Sequence, residues 1–132
     1  MESFEFRAWY MVQGFMLSWQ QILDDMNGRH SPLITDVAYH TSFPIMQSNP
    51  LFEVMLYTGA NDAAGKHIYR LDILRQGKLL YLVSWYPDRL QWWAQGLGTA
   101  PDKPLYELSE QNDIFVVGNG HENPELIKQL NI

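Results

Sequence analysis

Four histidines, at positions 30, 40, 67 and 121, are the groups best suited to acid–base or metal chemistry near neutral pH. A zinc site needs three or four His, Cys or carboxylate ligands at workable spacing. No two of these histidines form an H-x-H or H-x-x-x-H pair, and the chain has no cysteine. Disulfides and thiolate nucleophiles are therefore excluded, and no metal and no cofactor is expected. Two carboxylate–imidazole pairs remain as acid–base candidates. Asp36 and His40 would share a face of a short strand over 34–40, and His121 adjoins Glu122, although sequence neighbours seldom converge on one atom. No G-x-S-x-G elbow is present for a serine nucleophile. The stretch GANDAAGK at 59–66 lacks the Lys-Ser or Lys-Thr ending of a phosphate loop. The glycines of GLG at 96 and GNG at 118 lack the strand-to-helix context of a dinucleotide fingerprint. No catalytic residue is expected.

The chemistry that the chain does offer is aromatic and acidic. Its 132 residues include five tryptophans, seven tyrosines and six phenylalanines. Fifteen acids against nine bases give a net charge of −6. That balance disfavours nucleic acid, which is bound through clustered Lys and Arg. It suits steering toward another protein with a basic surface. The N-terminus, MESFEFR, is unlike a signal peptide, and the longest apolar runs, such as LLYLV at 79–83, are too short to span a bilayer. With the missing cysteines, these features lead us to expect a cytoplasmic protein without a membrane partner.

The elements that position these side chains begin with residues 4–27. Trp9, Val12, Met16, Trp19, Leu23 and Met26 recur at steps of three and four, which predicts one long amphipathic helix. Ser3 serves as its N-cap and Asn27-Gly28 as its stop. Residues 51–58 read as a strand, followed by a loose loop over 59–66. Segments 68–75 and 78–86 read as a hairpin turning at Gln76-Gly77, with Arg75 opposite Lys78. Its face of Tyr69, Leu71, Ile73, Leu80 and Leu82 is assigned to the first helix. The reverse face, with Asp72, Leu74, Tyr81 and Trp85, is mixed. Pro87-Asp88 then leads into a short helix over 89–95. Segments 105–108 and 114–117 read as a second hairpin. Asn123 caps a last helix with Pro124 at its first position. The expected fold is α+β in a single domain over 1–132. A long N-terminal amphipathic helix packs on an antiparallel sheet of about five strands, with a short helix after the third strand and a C-terminal helix.

On that helical wheel Phe6, Tyr10 and Leu17 fall away from the apolar stripe, and Trp92 points opposite Trp93. Surplus aromatics of this kind are typical partner anchors. The leading expectation is a non-enzymatic protein-binding module that uses Phe6, Tyr10, Leu17 and Trp92. Trp92→Ala is expected to weaken partner binding with folding nearly intact. Self-association into a homodimer is a plainer use of the same residues. The element order, length and charge resemble the small acidic chaperones that escort effectors of type III secretion, and acidic inhibitors and immunity proteins share those gross properties. The alternative is a small-ligand or enzymatic domain resembling the nuclear transport factor 2 class. Its aromatic pocket would be lined by Tyr57, Asp72, Tyr81 and Trp85.

Overall fold

The computed structural model describes residues 5–12, 14–26 and 51–130. The expected strand over 34–40, with Asp36 and His40, lies outside them. The described chain is mostly β, and this overturns the expected α+β fold with its long first helix. It divides into two compact units, Met1–Leu56 and Tyr57–Ile132.

The first unit opens with a β-hairpin of two strands. Strand β1 (Phe6–Tyr10) pairs antiparallel with β2 (Phe15–Leu17), with Ala8 opposite Leu17 and Tyr10 opposite Phe15. The turn closes by Gly14 N–H donating to Tyr10 O at 2.9 Å, with Gly14 at φ +70°. Glycine reaches that conformation without a steric penalty. Strand β3 (Phe52–Asn61) pairs with β1 through its first half, placing Phe6 opposite Leu56 and Tyr10 opposite Phe52. Alternate residues of a strand share a face. Phe6, Ala8, Tyr10 and Leu17 therefore lie together, buried with Ile22 and Phe52. Helix α1 covers only Trp19–Met26. It starts there because Ser18 Oγ accepts from Gln21 N–H while Gln21 Oε1 accepts from Ser18 N–H, a reciprocal cap at 3.2 and 2.8 Å. Trp19 meets Phe6 with ring centroids 5.2 Å apart.

In the second unit, β4 (His67–Tyr69) pairs with the last part of β3. A five-stranded sheet follows, composed of β5 (Asp72–Gln76), β6 (Leu79–Tyr86), β7 (Gln91–Leu97), β8 (Lys103–Pro104) and β9 (Phe115–Asn119), in the order β8-β7-β6-β5-β9. The β5–β6 turn is Gly77 and Lys78. Gln76 lies opposite Leu79 and Ile73 opposite Leu82, two residues from the expected register. An even shift keeps Ile73, Leu80 and Leu82 on one face. The principal core, however, lies on the other face. Leu74, Tyr81, Val83 and Ala94 are buried there with Ile68, Leu105, Leu108 and Ile114. Leu105 and Leu108 belong to helix α2 (Leu105–Glu110), which forms where a strand was expected because the i, i+3 leucines give it one buried side.

The helix expected over 89–95 is instead a turn followed by β7, which pairs with β6 along its whole length. Leu90 has φ +49°, which interrupts any right-handed helix at that point. Gly96 marks the close passage of a loop. A Cβ there would lie 1.8 Å from Ala100 O, and its N–H donates to Asp102 Oδ1 at 2.8 Å. Asp62 is buried and fastens the other end of the sheet. Its Oδ1 accepts from the N–H groups of Ala64 and Lys66, and its Oδ2 from Val116 N–H in β9. Helix α3 (Pro124–Leu130) ends the described chain. No helix among the described residues is long and apolar enough to cross a membrane.

Candidate functional site

The site is built by the β6–β7 hairpin, whose strands remain paired as far as Tyr86 opposite Gln91. Residues 87–90 close it as a four-residue loop, in which Arg89 N–H donates to Tyr86 O and Leu90 N–H to Pro87 O. Strand alternation then places two aromatic pairs on opposite faces of its end. Trp85 and Trp92 meet edge to face, with centroids 5.3 Å apart. Tyr86 and Trp93 do the same at 5.5 Å, and the Arg89 guanidinium lies 4.8 Å from the Trp93 ring centroid. Leu90 stands at the apex 78% exposed, and Trp85 is 41% exposed. Tyr86, Trp92 and Trp93 are half-buried. Desolvation holds the Tyr86 phenol above its ordinary pKa. The carboxylates of Asp102 and Asp88 add to that effect, and Arg89 opposes it.

Of the four expected anchors, Phe6, Tyr10 and Leu17 are sealed in the first unit's core, with Phe6 only 1% exposed. Once the segment is a hairpin, the side chains a helix would turn outward become its inner face. Trp92 is at the hairpin end, half-buried against the second unit's core. Its truncation would remove core contacts as well as surface. Trp85 and Leu90, unremarked as anchors in the sequence, are the accessible apolar groups here. The signal that could have found them is the near-symmetry of Trp85-Tyr86 and Trp92-Trp93 about the turn sequence Pro-Asp-Arg-Leu.

The expected pocket residues take three settings, with Tyr57 and Asp72 both beside Tyr69, Tyr81 in the core and Trp85 at a strand end. Tyr57 stacks on His67 at 4.2 Å and lies 5.8 Å from Tyr69, whose N–H donates to Asp72 Oδ2. Tyr81 is closed in the core, and Trp85 lies at the outer end of the same strand. His121 and Glu122 both donate their backbone N–H to Asn119 Oδ1, and the Glu122 carboxylate accepts from Asn119 Nδ2 at 2.6 Å. That corner is a structural knot ahead of α3. Among the described residues, no three His, Asp or Glu side chains gather as metal ligands do.

Two antiparallel β units with short helices and an aromatic hairpin end define the class. The same fold is seen in protein EF1440 from Enterococcus faecalis, whose crystal structure matches with a TM-score of 0.56 at 20% identity, over 96% of this chain and 99% of that one. The chain belongs to the YopX protein family, which it matches over residues 5–128. No curated protein matches the sequence. The two-unit β architecture also removes the element order on which the likeness to secretion chaperones was based.

Proposed function

We propose that this chain is a protein-binding module that engages its partner through the end of the β6–β7 hairpin. The observation that carries the reading is Leu90, a leucine 78% exposed in a left-handed backbone conformation between two exposed or half-buried aromatic pairs. Folding alone would favour glycine there, since a left-handed residue with a Cβ costs about 1–2 kcal/mol. Strained residues of this kind cluster at functional sites. The acidic chain favours a partner with a basic surface, met in the cytoplasm.

Leu90→Gly tests the proposal with opposite signs. It should raise stability in urea melts by about 1 kcal/mol and weaken partner binding. A photo-crosslinking residue placed at position 90 should give one defined adduct, competed by unmodified protein and not by Trp85→Ala. An adduct only with a second copy would identify a homodimer. Unchanged adduct yield in competition with either protein would overturn the proposal.

A further inference from the structure

Arg89 points to what the hairpin end receives, on the proposed reading of that end as a docking surface. Its guanidinium covers the Trp93 ring at 4.8 Å, and Trp93 meets Tyr86 at a 64° angle to form a corner of two rings. Aromatic faces attract cations because the ring quadrupole presents negative charge. The surroundings of this corner are acidic, with Asp88 in the adjoining turn and Asp102 in the loop fastened to Gly96. Both carboxylates act on the Tyr86 phenol in the direction that resists its ionisation, so their field reaches the corner.

We infer that the Tyr86–Trp93 corner is a cation seat, occupied in the free protein by the chain's own Arg89 and taken in the complex by an arginine or lysine of a basic partner. Arg89 is exposed and at a turn, so it can leave without disturbing a strand pair. An internal cation in the seat competes with the partner's cation for the ring and repels it by charge. Its removal should therefore tighten binding. An acidic partner would respond in the opposite way, because Arg89 would then be its contact.

The probe is an oligo-arginine peptide, with oligo-glutamate of equal length as control, titrated against the whole chain and followed by tryptophan fluorescence. Saturable quenching by oligo-arginine alone is expected, weakening with salt. Arg89→Gln should tighten it by about threefold to tenfold, and Trp93→Leu should weaken it about tenfold. Asp88→Asn, on an exposed turn, should weaken it without affecting folding, which keeps the test sound if Trp93→Leu unfolds. Weaker oligo-arginine binding by Arg89→Gln, or preference for oligo-glutamate, would overturn the inference. Those results would leave the hairpin-end proposal standing if the position-90 adduct still forms. Equal binding of the chain to neutral phosphatidylcholine vesicles and to oligo-arginine would also overturn it, since the rings would then be seeking an interface rather than a charge.

Discussion

Tyr81 lies at the centre of the second unit, fully buried, and its hydroxyl has no hydrogen-bond partner among the described residues. A buried hydroxyl left unpaired costs roughly 1–3 kcal/mol. Tyr81→Phe removes that group and little else. The lost oxygen vacates about 10–15 Å³, and at ~24 cal/mol per Å³ the gap costs only ~0.3 kcal/mol. The substitution should therefore stabilise the protein by about 1 kcal/mol, seen in urea unfolding and as a rise of roughly 3–5 °C in Tm. A second readout depends on pH. Burial raises the Tyr81 phenol above its ordinary value of 10.0. The folded state then holds a proton that the unfolded state releases near pH 10, so stability is full below pH 10 and falls as pH rises toward the folded pKa. Tyr86 contributes in the same direction and window. Tyr81→Phe should flatten this alkaline fall without abolishing it. A loss of more than about 1 kcal/mol at neutral pH would refute the reasoning, because a hydroxyl that stabilises must be partnered.

Two further substitutions test the architecture. Asp62→Ala removes the acceptor of three backbone N–H groups and should cost about 3 kcal/mol in urea melts, with Asp62→Asn intermediate because it keeps one oxygen. Gly14→Ala has room for its methyl, with Trp9 Cζ2 at 3.7 Å, but must hold φ +70°. It should destabilise by about 1–2 kcal/mol, whereas in a helix the same change would stabilise by about 1 kcal/mol, so the sign alone distinguishes hairpin from helix.

The first segment shows why part of the fold was illegible in the sequence. Trp9, Val12, Met16 and Trp19 fit a helical period, while Phe6, Ala8 and Tyr10 fit a period of two, and short apolar stretches satisfy both. Gly14 in mid-segment and the aromatic content favoured strands, and Ser18 with Gln21 marked the true helix start. The β5–β6 pairing was legible from its apolar runs and Gly77, but not its register or the break at Leu71, whose φ of +69° ends β4 and lets β5 begin at Asp72; the last helix was legible from Asn123 and Pro124. Which hairpin face meets the core was not, because both faces are apolar and the choice depends on where α2 lands. Likewise, no local pattern announces that Asp62 reaches Val116, 54 positions away. At the site, the tandem Trp92-Trp93 is legible as a surplus of aromatics, but the sequence sets it on a helix where the structure has strand β7. Leu90 fits the packed side of the expected helix with Trp93 and Ala94, and its exposure at a turn apex leaves no periodic trace to say otherwise.

One of the sheet's two edge strands, β9, carries a consequence for assembly. Val116 N–H is taken by Asp62 and Asn119 N–H by the Asn123 side chain, so two main-chain donors along that rim are already engaged. An incoming strand from another copy would find them spent, which guards this rim against templated stacking into fibrils.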